Sequence, residues 1–365
     1  MLVRRSGAEY RTQGRSRIRV HLVAAAFLAA SLPTTAGAGA RQDRDALEYR
    51  EIVGRYRAGD FAAATRLVAS WKSQRLLDAV RRVRQRHHRD RGIPEWDEGR
   101  IAAACLLHLE LLGRQPENVA AANLHLWAVR EHLEWLRDSH VPSARAADLH
   151  WALALYLQAT LRLEDLGLYF EEMGDSFKSD GRLLLAEGTL HETLASRRLE
   201  AARKAALVPS AKSSLESAAG FLRAAAAVAP DRDEARLRLA HVLILQGRRA
   251  DGLELLEAVL RDTTAPAARY LAHMFMGQVQ AAQNRAVDAA RSFGAAHDDL
   301  PCAQSAAVAL AHRAMLEGRN ADARAVLDLP LNGAGRCEDP WARYDFGQAG
   351  ELDGLIDVLR RQVSR

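Results

Sequence analysis

The chain is poor in cysteine, proline, lysine and aromatic residues, and it has no long apolar run. Among its 365 residues are three cysteines and ten prolines, and aromatics make up 6%. Three is an odd count for an oxidising compartment and excludes a disulfide-dense framework. The lysines are Lys72, Lys178, Lys204 and Lys212; the arginine bias elsewhere reflects coding composition and not an arginine-specific function. The longest apolar run, Val20 to Leu32, is interrupted by His21. It falls short of the roughly 20 residues that span a bilayer, which argues against a retained membrane anchor. Strand-like alternation of useful length is absent, so the class is all-α. There is no nucleophile elbow, phosphate loop or dinucleotide fingerprint, and an enzyme is the least supported reading.

The first 40 residues carry Arg4, Arg5, Arg11, Arg15, Arg17 and Arg19, then the apolar run, then small residues ending at Ala40. That order is the order of an export signal, with Ala38 or Ala40 before the cut, and it predicts a periplasmic or secreted protein. The chain has 51 basic and 46 acidic residues, and this leader holds six of the basic and one of the acidic ones. The remainder, 41–365, is therefore balanced, and the basic pI gives no support for nucleic acid as a partner.

A short pattern recurs near the C-terminus. It reads QGRRADGLELLEAVL from Gln246, QNRAVDAARSFGAAH from Gln283 and EGRNADARAVLDLPL from Glu317. A turn residue (Gly247, Asn284, Gly318) is followed five positions later by a small residue (Gly252, Ala289, Ala323) and preceded seven positions earlier by another (Ala240, Gly277, Ala311). The turns lie about 35 residues apart, the period of stacked helix-turn-helix units. A further copy fits around Gly59, with Ala64 five residues on. Helical pairs are predicted with less regular loops at 101–137, 146–173 and 182–204, and 213–228 supplies the helix before Pro230.

In these residues the chain resembles the tetratricopeptide repeat family, most closely over 213–329 and near Gly59, more loosely over 45–205. The ending, Glu338 to Gln348, resembles the closing segment of exported bacterial proteins of that kind. The resemblance implies a right-handed superhelical solenoid of tetratricopeptide-type repeats. Trp341, Tyr344 and Phe346 are expected to cover its open end, and the 338–365 cap to finish in a helix carrying Leu352, Leu355, Ile356 and Leu359.

In the family geometry the first helix of each pair lines a concave groove. The positions expected there are Leu237, His241 and Ile244, then Met274 and Gln278, then Val308, His312 and Met315. This mixed apolar and imidazole stripe lacks the Lys, Arg and Asn set that grips a peptide carboxylate in the co-chaperone branch. It suits a helix or extended segment of another protein with apolar anchors. The expected function is a non-enzymatic, exported scaffold with an envelope or secreted protein partner and no cofactor.

Three other features bear on function. Arg75, Arg81, Arg82, Arg84, Arg86, Arg89 and Arg91 form a basic run whose Leu76, Val80 and Val83 fall on one helical face. The alternative it carries is peripheral docking on anionic lipid or cell-wall polymer; a second alternative is an accessory subunit of a separately encoded enzyme. His125 and His132 share a helix, and His191-Glu192-Thr193-Leu194-Ala195 comes within one residue of a zinc-protease motif, but Ala195 stands where the second ligand belongs. No metal is expected. Cys302 and Cys337 fall at one end of the last pair, where a disulfide would close a loop of about 35 residues and stabilise by about 3 to 4 kcal/mol.

Overall fold

The computed structural model describes residues 36–89, 96–114, 118–138, 144–173, 179–196, 199–204, 208–228, 233–332, 338–344 and 352–364. Residues 1–35, with the arginines and the apolar run of the expected leader, therefore lie outside the described residues, whereas Ala38 and Ala40 fall within them. Among those described, no strand occurs and no helix is long and apolar enough to cross a membrane. The chain divides into two compact units, 1–41 and 42–365. Of the first, residues 36–41 are described and are helical.

The second unit is an array of helix pairs. It opens with α1 (Ala36–Arg57), α2 (Phe61–Ala69) and α3 (Ser73–Arg89), with α2 packed on α4 and α3 on α5. Six pairs follow: α4 (Glu98–Arg114) with α5 (Val119–Asp138), α6 (Ala144–Ala159) with α7 (Leu163–Met173), α8 (Gly181–Ala195) with α10 (Ala211–Val228), α11 (Asp233–Leu245) with α12 (Arg249–Asp262), α13 (Pro266–Ala282) with α14 (Ala286–Asp299), and α15 (Gln304–Leu316) with α16 (Asn320–Asn332). Short α9 (Glu200–Lys204) lies in the connection between α8 and α10. The array is the all-α repeat solenoid expected from the 35-residue period.

The predicted turn residues do the work assigned to them. Gly59, Gly247, Asn284 and Gly318 all have positive φ, from 60° to 91°. Each ends a first helix with the paired bonds of a left-handed C-cap: Gly247 N–H donates to Ile244 O at 3.0 Å and Arg248 N–H to Leu243 O at 2.9 Å. The same two bonds recur at Leu161 and Arg162, with Leu161 at φ 55°. The α6–α7 connection is thus the same turn with a leucine in the left-handed position. Leu166 replaces the small residue five positions on, which explains why this pair looked irregular in the sequence.

The small residues lie where helices touch. Ala240, Gly277, Ala311, Gly252, Ala289 and Ala323 are all buried. A Cβ on Gly252 would fall 2.6 Å from Ile244 Cγ1 and 2.8 Å from the Ala240 carbonyl oxygen. One on Gly277 would fall 2.5 Å from the Phe293 ring. Carbon pairs need about 3.5 to 4 Å, so each glycine is required by the closeness of its partner helix. Gly188 plays this part against Leu222, with a Cβ position 2.6 Å from Leu222 Cγ. This corrects the pairing read within 182–204: the partner of α8 is α10, across an inserted connection.

The last two helices do not cap the open end at α16. In α17 (Pro340–Arg343) the chain lies on α13, and α18 (Leu352–Val363) lies on α4 and α6, near the opposite end of the array. Leu352, Leu355, Ile356 and Leu359 do form the amphipathic helix expected, but Leu359 and Val363 enter the α1–α8 core. One consequence is visible in α4. Every residue from Ile101 to Leu112 is buried, although the sequence suggested an amphipathic helix, because α18 covers the face that would otherwise meet solvent.

Candidate protein-binding groove

The helices expected to line a groove form one row: α4, α6, α8, α11 and α13 touch in succession, and α15 continues it. The predicted groove residues divide along that row. Leu237 and Met274 are buried, at 1% and 2% exposure, and pack between helices. Ile244 sits half-buried against Gly252. Gln278 and His312 are exposed, as are Val308 at 52% and Met315 at 60%. His241 is half-buried, its ring stacked on Phe275 with centroids 4.7 Å apart.

The difference between the two ends is the C-terminal segment, which lies on the row itself. Asp339 reaches the N-terminus of α15 and the face of α13 together. Its Oδ2 accepts from Ser305 N–H at 2.7 Å, and its Oδ1 accepts from the Tyr270 hydroxyl at 3.1 Å and from Trp341 N–H at 2.9 Å. Ser305 N–H belongs to the first helical turn, where backbone donors have no partner within the helix. Trp341 packs edge-on against Phe275 at 4.9 Å, and Tyr344 does so at 5.0 Å.

Tyr344 then inserts between α11 and α8. Its hydroxyl donates to Glu192 Oε1 at 2.6 Å, and its backbone carbonyl accepts from Arg238 Nη2 at 2.7 Å. Arg238 also holds Glu192 and Glu234, each at 2.8 Å, and its guanidinium stands 4.2 Å from the centre of the Tyr344 ring. His241 Nδ1 lies 2.6 Å from Glu192 Oε1. Arg238 and Glu192 are both almost fully buried. Burial alone would raise the Glu192 carboxyl, but the Arg238 charge and the bonds from His241 and Tyr344 bring it down to about 2. Burial, then the Glu192 charge, pushes the Tyr344 phenol well above its ordinary value. Sequence reading missed this centre. Its signal was a charged Arg238 within the buried run of α11 and a glutamate at 192 that the zinc motif had drawn attention to for another reason.

The far end of the segment is held in similar chemistry. Arg360 grips Glu110 with a two-pronged fork, Nε to Oε1 and Nη2 to Oε2, both 2.9 Å. The Tyr56 hydroxyl donates to the same carboxylate. On α6, Arg145 donates to the Gln362 carbonyl at 3.2 Å and Asp148 accepts from the Gln362 amide at 3.4 Å. From Asp339 to Val363 the described parts of the tail thus touch α15, α13, α11 and α8 in turn, and then α4 through Arg360 and α6 through Gln362.

The basic run has acidic company. Leu76, Val80 and Val83 are buried as expected. Arg75 pairs with Asp45 at 2.8 Å and lies over Trp71, Arg82 pairs with Asp43 at 3.2 Å, and Arg84 pairs with Glu131 and Glu134. Arg81 is exposed and stands over Trp127. The side chains of Arg86 and Arg89, and all of Arg91, lie outside the described residues, as does Cys337; Cys302 is disulfide-bonded. Cys105 is a buried free thiol.

The two α5 histidines meet a third imidazole, His108 of α4, which the sequence reading did not connect with them. His125 Nδ1 lies 3.1 Å from His108 Nδ1, His108 Nε2 lies 2.8 Å from the Tyr49 hydroxyl, and that hydroxyl lies 3.3 Å from His132 Nε2. His132 Nδ1 donates to the Ala128 carbonyl at 2.5 Å. With all three rings neutral, one direction of donation satisfies these contacts: His125 to His108 to Tyr49 to His132 to the carbonyl. Burial, with the neighbouring imidazoles, holds His108 well below its ordinary pKa, and burial brings His125 and His132 to about 4. Among the described residues no group of three or more His, Cys, Asp or Glu side chains is arranged to hold a metal ion.

Comparison with known proteins agrees with the repeat architecture. The sequence profile of the Tetratricopeptide repeat family matches residues 211–273, which run from α10 into α13. No curated protein matches the sequence. Two solved structures of MamA, from AMB-1 and MSR-1, are similar at 17% identity and a TM-score of 0.33. They cover 56% and 57% of this chain and 98% and 97% of their own. The turns, the buried small residues and the matched segment lead to one conclusion: the chain is an all-α array of helix pairs that carries a tetratricopeptide repeat match at residues 211–273.

Proposed function

We propose that this chain is an exported, non-enzymatic scaffold that binds a protein partner along its row of first helices. The observation that carries the reading is the exposed stripe Val308, His312 and Met315, spaced four and three residues apart on one face of α15. It presents apolar and polar contacts on a scaffold whose fold is used for protein interaction. Export is supported by the arginine-rich leader and its small-residue end. The ion pairs of Arg75, Arg82 and Arg84 leave the lipid or polymer alternative with less free charge than the sequence suggested. A partner that is itself an enzyme would make this chain an accessory subunit.

The test is in-cell crosslinking of the tagged protein, with a variant carrying Val308→Ser, His312→Ala and Met315→Ser beside the parent. One exported protein enriched with the parent and lost with the variant supports the scaffold. Recovery of the same material with both, or of lipid and wall polymer alone, retires it. N-terminal sequencing of the mature protein tests export, which predicts a start just after Ala38 or Ala40.

A further inference from the structure

We infer that residues 338–344 and 352–363 act as a ligand carried on the same chain, and that the row's partner is a segment of like chemistry that competes with them. That chemistry is a carboxylate, aromatic residues two and five positions later, and an amphipathic helix bearing an arginine. The inference rests on the scaffold reading above and specifies its partner.

The first argument is placement. The segment follows the last repeat, belongs to no helix pair, and touches first helices from α15 to α4. A cap would cover the end of the array at α16. A bound peptide lies along the row, as this segment does.

The second argument is the kind of contact. Asp339 is read by a helix-terminal N–H and a tyrosine hydroxyl, the Tyr344 carbonyl by Arg238, the Tyr344 hydroxyl by Glu192, and Arg360 by Glu110. These are oriented, charge-assisted bonds to named groups on the row. Core packing has no need of them, and burying such charges is costly. If the segment leaves, Glu192, Arg238 and Glu110 regain water, while the apolar face of α4 loses the cover of Leu359 and Val363 and needs a replacement of the same amphipathic kind.

The third argument is that apolar cover is uneven along the segment. Among its described residues, Tyr344, Leu359 and Val363 are buried, whereas Trp341, Leu352, Leu355 and Ile356 are only partly covered. Local opening is favoured where few apolar contacts must break. The exposed stripe lies on α15, the helix whose first turn Asp339 binds, and gives an incoming segment a place to start.

The probe is a fluorescent synthetic peptide of residues 338–365, titrated into the full-length chain and into a full-length Trp341→Ala, Tyr344→Ala variant. Removal of the resident anchors should make the peptide bind the variant at least tenfold more tightly than the parent. A peptide carrying Asp339→Ala and Tyr344→Ala should lose that binding by tenfold or more. Equal binding to both chains, no binding to the variant, or indifference to the peptide changes overturns the inference. Should the variant not fold, hydrogen exchange of the parent decides: amides of 340–344 and 352–363 exchanging at least tenfold faster than those of α11 and α13 support a displaceable segment, and equal rates overturn it. Peptide binding without a crosslinked partner would leave the same-chain ligand standing and retire the scaffold. A crosslinked partner without peptide binding would do the reverse.

Discussion

Arg238 and Tyr344 are 106 residues apart, yet the guanidinium of one donates to the backbone carbonyl of the other at 2.7 Å and stands over its ring. This contact ties the middle of the repeat array to its C-terminal tail. It brings with it the buried carboxylate of Glu192, which receives charge or hydrogen bonds from Arg238, His241 and Tyr344.

Tyr344→Phe removes one donor from that carboxylate and keeps the ring. The expected loss is about 1 to 3 kcal/mol, the cost of leaving a buried charged group with one bond fewer. It should appear in urea unfolding and as faster amide exchange around residue 344. Unchanged stability with unchanged exchange would mean that the hydroxyl contact is not formed.

Glu192 makes the contact pH-dependent at the acid end. Its folded-state pKa is depressed to about 2, below its ordinary value near 4.5. Its contribution is therefore present above pH 4.5 and is lost as pH falls toward 2. Glu192→Gln should remove that part of the stability profile; an identical profile below pH 4.5 would rule it out.

The imidazole chain acts at higher pH and with the same direction. His125 and His132 titrate near 4 in the fold and near 6.5 when unfolded, so the unfolded chain takes up protons first. Stability is complete above about pH 6.5 and falls as pH drops toward 4, by a few kcal/mol for shifts of this size. His125→Asn retains a donor near His108 and cannot titrate. Melting curves from pH 7.5 to 4.5 should fall less steeply for it, and an unaltered slope would show that His125 is not involved.

Gly277 and Gly294 form a matched pair of tests. Gly277→Ala places a Cβ against the Phe293 ring and should cost about 1 to 3 kcal/mol through overpacking. Gly294 lies mid-helix with nothing within 4 Å of its Cβ position. Gly294→Ala should therefore stabilise by about 0.5 to 1 kcal/mol. Similar melting shifts in the two variants would contradict the close α13–α14 approach.

Leu161 is exposed at 58% and holds a positive φ where its neighbours in the series use glycine or asparagine. Leu161→Gly should stabilise by about 1 kcal/mol, the cost of a branched side chain in the left-handed region less the entropy of a freer unfolded chain. A loss of stability there would mean that the leucine makes contacts worth more than its backbone strain.

The repeat architecture was legible because its determinants are local. Gly247, Asn284 and Gly318 end helices by backbone geometry, and Ala240, Gly277 and Gly252 admit a partner helix wherever that helix comes from. Both requirements recur at fixed spacing, so they survive as a pattern in one dimension. The pair α6–α7 was obscured by Leu161 and Leu166, and α8–α10 by the inserted connection, although the geometry of each pair is the same as in the clear copies. The His108, His125 and His132 chain could not be seen because its members come from two helices and Tyr49 from a third.

The row of first helices was legible only in half. The sequence by itself determined an all-α array, its turns, the close helix pairs and the amphipathic character of α18, all of which depend on neighbours within a few turns. Only the tertiary structure decided that Leu237 and Met274 are packing residues and that the tail lies along the first helices and not over the end. The reason is physical. A helix with one apolar stripe can bury it against any complementary face, and the choice is made by long-range partners, here Ser305 and Tyr270 for Asp339, Arg238 and Glu192 for Tyr344, and Glu110 for Arg360.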